Sequence, residues 1–154
     1  MFTGLLTVTL FLPLVGAFVI LSVLKGDRNI RLVAIGIVII DLLLAILVFG
    51  SYQVDGPERF QLIDQFDWIP GETLNAQYLL GVDGLSAPLV LLTSLLGFCA
   101  VFASWNIKFR VKEYFAWLLV LQTAVLGVFV SLDFLLFFVF WELELVPMYF
   151  LISI

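Results

Sequence analysis

Long apolar runs separated by short polar stretches dominate the chain, and five of the runs have the length of a bilayer crossing. They fall at approximately residues 2–24, 31–50, 84–105, 113–131 and 134–154, each close to the ~20 residues that a ~30 Å hydrocarbon core requires. The pattern predicts an all-α integral membrane protein with about five transmembrane helices. The first run has no basic flank ahead of it and no small-residue cleavage site behind it. It is therefore expected to be a retained helix and not a signal peptide.

The connection over 51–83 has a different period. Phe60, Leu62, Phe66 and Trp68 alternate with polar residues, Pro70-Gly71 marks a turn, and alternation resumes from Leu74 to Tyr78. That spacing predicts a β-hairpin lying on the membrane surface. Asp83 or Ser86 is placed to cap the third helix, and Pro88 is tolerated in its first turn because the N–H groups there lack internal partners. Ser131 and Asp133 can cap the fifth helix in the same way. The far end of that helix, Leu151-Ile-Ser-Ile154, carries no cap, glycine or basic flank. The expectation is an N-terminal part of a longer protein.

Composition strengthens the class assignment. Hydrophobic residues make up 64% and charged residues 12% of the 154, against about 45–50% and about 25% in an ordinary soluble domain. With no histidine and one cysteine, the chain is not expected to ligate haem, zinc or an iron–sulfur cluster, so any redox chemistry would belong to a partner. Cys99, inside an apolar run, is expected to be a buried and inert thiol. Nothing in the pattern points to nucleic acid; the expected surroundings are the lipid bilayer.

The charges are sorted by connection. Lys25, Arg28 and Arg31 flank the first and Lys108, Arg110 and Lys112 fill the third, while Asp55, Glu58, Asp64, Asp67 and Glu72 crowd the second with Arg59 as its lone cation. Positive-inside bias then puts the N-terminus and the hairpin outside, on the lumenal side, and both basic connections inside.

Three carboxylates lie within the apolar runs. Asp41 shares a helical face with Ala34, Val38, Ala45 and Val48, a small-residue surface suited to close helix packing. A charge at that depth costs about 2.5–3.5 kcal/mol on insertion scales, so Asp41 should face protein or water. A proton-path carboxylate and a single interhelical hydrogen bond both satisfy that requirement. The other two, Glu142 and Glu144, stand in Trp141-Glu-Leu-Glu-Leu-Val-Pro-Met-Tyr-Phe150, near the bilayer midplane at 1.5 Å per residue. Two residues is about 200° of helical rotation, so they cannot share one proton and each needs its own partner or water. Burial favours the protonated form of either, which suits a proton carrier. Pro147 cannot donate to the carbonyl of Leu143, which frees an acceptor between the two glutamates for a water chain. Depth and periodicity do not choose between them.

Two stretches carry a family resemblance. The segment from Tyr78 through Asp83-Gly-Leu-Ser86-Ala-Pro88 to Thr93, and that from Phe137 through Trp141-Glu-Leu-Glu-Leu-Val-Pro147 to Ile152, resemble chain 4 of the proton-pumping NAD(P)H–quinone oxidoreductases, the M-type antiporter-like membrane subunit of complex I. The double-glutamate form looks most like the cyanobacterial and plastid branch, since many bacterial relatives have a non-acidic residue where Glu144 stands. The resemblance implies a full-length protein of about fourteen helices built on inverted repeats. Residues 1–105 would be the three leading helices with the outer hairpin, and 113–154 the first two helices of the first repeat. It also implies that Glu142 is the proton-handling carboxylate, paired with a lysine on a later, broken helix beyond residue 154, with Glu144 at most an auxiliary site. FMN, iron–sulfur clusters and quinone would reside in partner subunits, and neighbouring antiporter-like subunits would flank this one. The implied location is a cyanobacterial thylakoid membrane, with a bacterial plasma membrane as the alternative. The implied activity couples electron transfer from NAD(P)H or ferredoxin to plastoquinone with proton pumping, in respiratory, cyclic photosynthetic or CO2-uptake service. A subunit of a multisubunit cation/proton antiporter is the rival, since it shares the glutamate–lysine design without a redox partner.

Overall fold

The protein is described here by a computed structural model covering residues 4–69 and 76–154. The five expected helices are present: α1 (Leu5–Ser22), α2 (Asp27–Ser51), α3 (Ser86–Ala103), α4 (Val111–Val130) and α5 (Phe134–Ser153). All five are long and apolar enough to cross a membrane. The hairpin is present as well, with β1 (Gln61–Ile69) antiparallel to β2 (Ala76–Val82) and Phe66 opposite Tyr78. Its expected turn at Pro70-Gly71 lies outside the described residues, as does Leu74.

Two boundaries move for physical reasons. Helix α2 begins at Asp27, four residues before the expected start, because Gly26 adopts a left-handed φ of 94° and the charged first turn winds on in the polar interface. Helix α3 runs into a 3-10 turn at Ser104–Asn106, where the Ser104 hydroxyl donates back to the Ala100 carbonyl and lies 2.9 Å from the Tyr114 hydroxyl. Of the two residues proposed to cap α5, Asp133 does so, accepting from the amides of Leu135 and Leu136 at 2.9 and 3.1 Å. Ser131 does not. Its hydroxyl turns back to the Gly127 carbonyl, and its backbone bridges Leu80.

Helix α4 is the hub, packed against α1, α2, α3 and α5. Helix α5 is the most peripheral; only Leu136, Phe140 and Pro147 of its side chains are buried. Those three recur at helical spacing and form one seam against α4. The seam is tight at Gly127, where a Cβ would overlap the Phe140 ring, and it closes towards the inner end with Trp117 stacked on Phe150 at 4.5 Å. Cys99 departs from expectation: it is exposed on the outer side of α3, because the helices packed on α3 meet the face carrying Ala87, Val90, Ser94 and Val101.

The hairpin closes the outer end of the bundle. Leu80 and Val82 are fully buried in a cluster with Leu6, Leu10, Ala45, Val48, Leu126 and Phe140. Asp64 holds the hairpin to α1: one carboxylate oxygen accepts from the Gly4 amide at 2.6 Å, the other from the Thr7 amide at 3.0 Å and hydroxyl at 2.9 Å. Gly4 has no side chain with which to cap its own helix, so the strand supplies the cap from 60 residues away. On the opposite edge the Leu132 amide donates to Leu79 at 2.9 Å. The inner end is tied separately. Arg31 lays its guanidinium over Trp105 and donates to the Ile107 carbonyl at 2.7 Å. Acidic hairpin and basic turns thus occupy opposite ends of the bundle, in accord with the orientation read from charge.

Candidate functional site

The acids within the spans occupy two places. Asp41 is wholly enclosed: it has 0% exposure, as do Ala34, Val38, Ala45 and Val48 on the same face. That small face lets α3 and α4 approach until two polar side chains reach the carboxylate. Ser94 Oγ donates to Asp41 Oδ2 at 2.7 Å and Gln122 Nε2 donates to the same oxygen at 2.6 Å. The sequence left open a proton-path carboxylate or a single interhelical hydrogen bond for Asp41; the structure supplies two such bonds, from two different helices. Gly97 is what makes room, because a Cβ there would overlap the Gln122 amide.

Ser94, Gly97 and Gln122 were not among the predicted site residues. Gln122 did leave a signal, as an amide in the middle of an apolar span, where polar side chains serve to bind helices together. Its pairing with Asp41, 81 residues away, cannot be read from local spacing.

Glu142 and Glu144 are split by helix geometry as expected. Glu144 is half-buried, four residues after Phe140 and three before Pro147, so it borders the seam with α4. Glu142 stands on the exposed side of α5 beside Trp141, which is also exposed. Neither carboxylate has a hydrogen-bond or ion-pair partner among the described residues. Pro147 is buried in the seam between them and α4. No group of three or more metal-ligating side chains occurs among the described residues.

The capping residues sit at the outer ends. Asp83 and Ser86 cap α3 reciprocally, not alternatively: Asp83 Oδ1 accepts from the Ser86 and Leu85 amides at 2.8 and 3.1 Å, while Ser86 Oγ accepts from the Asp83 amide at 2.8 Å. The Ser86 amide, with lesser help from Leu85 and the Arg59 charge, holds the Asp83 carboxyl below its ordinary value of 3.8.

Known proteins resemble the chain along nearly its whole length. NAD(P)H-quinone oxidoreductase chain 4 2 of Thermosynechococcus vestitus is 41% identical over 151 residues, which is 97% of this chain and 28% of that protein. A chain 4 of Picosynechococcus is 43% identical over 150 residues with the same coverage, and the chloroplastic chain 4 of Chara vulgaris is 39% identical, over 97% of this chain and 30% of its own. This chain thus spans less than a third of the length of the relatives it matches. No protein-family model matches it. In fold, it superposes on a chain of the membrane-bound sulfane sulfur reductase, an archaeal respiratory membrane complex, with a TM-score of 0.74 and 19% identity, over 93% of this chain and 22% of that one. Along 97% of its length, and with a five-helix membrane fold, the chain is similar to a part of the NAD(P)H-quinone oxidoreductase chain 4 proteins of cyanobacteria and chloroplasts.

Proposed function

We propose that the chain is part of a proton-translocating membrane subunit of an NAD(P)H– or ferredoxin–quinone oxidoreductase, with Glu142 as its proton-handling carboxylate. The observation that carries this reading is the placement of Glu142. It lies about 12 Å along α5 at 1.5 Å per residue, in the middle of an apolar span, and on the exposed side of the helix. A carboxylate so placed is stable only when a partner, water or a proton compensates it, and intramembrane acids mark ion pathways for that reason.

In this mechanism the subunit holds no redox group. Electron transfer and quinone reduction in partner subunits bias the pairing of Glu142 with a lysine on a later helix. Breaking the pair leaves an uncompensated charge in a low-dielectric span and draws a proton onto Glu142; restoring the pair expels it. Glu144, at the α4 seam, serves as an auxiliary site. The relatives come from cyanobacteria and chloroplasts, which supports a thylakoid location, plastoquinone as acceptor, and service in respiratory, cyclic photosynthetic or CO2-uptake electron flow.

The test is Glu142→Gln in the intact complex, with quinone reduction and proton uptake into vesicles followed together. Loss of pumping in an assembled complex is expected, and Glu144→Gln should retain more activity. Unchanged pumping in Glu142→Gln would remove the assignment, and equal loss in both variants would remove the ranking. Co-purification with iron–sulfur and quinone-binding subunits separates this reading from a cation/proton antiporter.

A further inference from the structure

Asp41 is the intramembrane acid that the proposed role of α5 leaves unused, and its hydrogen bonding is lopsided. Both donors, Ser94 Oγ at 2.7 Å and Gln122 Nε2 at 2.6 Å, converge on Oδ2. The other oxygen, Oδ1, is buried with no partner. A carboxylate spreads its charge over two equivalent oxygens and accepts at both, whereas a carboxylic acid has one carbonyl acceptor and one hydroxyl. Two donors on one oxygen is the arrangement of the neutral acid.

Among the described residues the surroundings supply no counter-charge. Helix α1 carries no titratable side chain, α3 carries only Cys99, and that thiol is exposed. On α4 the ionisable groups are Lys112, Glu113 and Tyr114, all in its first turns. Lys112 precedes Gln122 by ten residues, about 15 Å along the axis. On α2 itself Asp27, Arg28 and Arg31 lie at the inner end, with Arg31 held by Ile107 and Trp105. An ionised Asp41 would be a bare buried charge, which a protein avoids by protonation.

Gln122 adds a second buried oxygen without a donor, its Oε1. The side chain stands between Asp41 and a groove of about 230 Å³ between α3 and α4, whose wall is mainly apolar (Leu96, Ala100, Leu118, Leu121 and Val125), with Thr93 and Gln122 as its polar members. The amide nitrogen is committed to the acid, while the amide oxygen has no donor.

We infer that Asp41 holds a proton on Oδ1 as a second protonatable site, with Ser94 and Gln122 as the two donors that fix its carbonyl oxygen. The site does not depend on Glu142 being the proton carrier. Infrared difference spectra of the assembled complex, in H2O and D2O, test it. Wild type minus Asp41→Asn should show the C=O stretch of a carboxylic acid, still present in Glu142→Gln. Ser94→Ala and Gln122→Ala should each move that band to higher frequency, because each removes one donor from Oδ2. Should Asp41→Asn fail to assemble, the band shifts in Ser94→Ala and Gln122→Ala carry the test. A difference spectrum holding only carboxylate bands, or a band indifferent to both substitutions, overturns the assignment.

Discussion

Replacing Asp64 should loosen the start of α1 far more than an ordinary surface substitution would. The side chain is 4% exposed and accepts three hydrogen bonds, from the Gly4 amide and from the amide and hydroxyl of Thr7. Tyr78 extends the joint by donating to the Thr7 hydroxyl at 3.2 Å. Losing an N-cap side chain costs typically ~1 kcal/mol, and a hydrogen bond to a charged acceptor contributes about 1.5–3 kcal/mol. The joint lies at the outer end of the bundle, where water recovers part of this, so about 2–3 kcal/mol is expected for Asp64→Ala. At 1.4 kcal/mol per tenfold, amide hydrogen exchange at Thr7 should quicken about 30- to 140-fold when opening is at equilibrium. Asp64→Asn keeps an acceptor oxygen and should cost less. Peptide-resolved exchange on the protein in lipid nanodiscs measures both. Unchanged exchange at Thr7 in Asp64→Ala, with the hairpin still protected, would refute the idea that the strand caps the helix.

Other consequences follow from the same geometry. Gly127→Ala should cost about 1–3 kcal/mol by overpacking against the Phe140 ring, and Phe140→Leu in the same chain should recover part of it; melting of the two variants and their combination measures the coupling. Asp133→Ala should remove about 1 kcal/mol from the start of α5, seen as faster exchange at Leu135 and Leu136 with α4 unaffected. Because the folded Asp83 carboxyl lies below 3.8, its contribution is complete above that pH and is lost as pH falls through the folded value. Exchange at the start of α3 should therefore rise below about pH 4, and Asp83→Asn should flatten that rise. Gly97→Ala should push the Gln122 amide off Asp41 and loosen the α2–α3–α4 contact, detectable as earlier melting of the purified complex.

Much of the molecule is legible without coordinates. Five spans, their orientation and the outer hairpin follow from run length, period and charge, since lipid demands about 20 apolar residues per helix and basic residues collect in the inner connections. The opposition of Glu142 and Glu144 needs only 100° per residue. What surrounds each acid is another matter. Asp41 was recognisable as an acid on a small-residue face, yet its partners come from α3 and α4, 53 and 81 residues away. Asp64 looked like one more outer charge until folding brought it under the first turn of a helix that starts with a bare glycine. The exposure of Cys99 turned on which side of α3 its neighbours chose. Periodicity encodes a face and a depth, because both belong to a single helix. A partner belongs to a pair of helices, and only their packing decides which polar groups share the interior of the bundle.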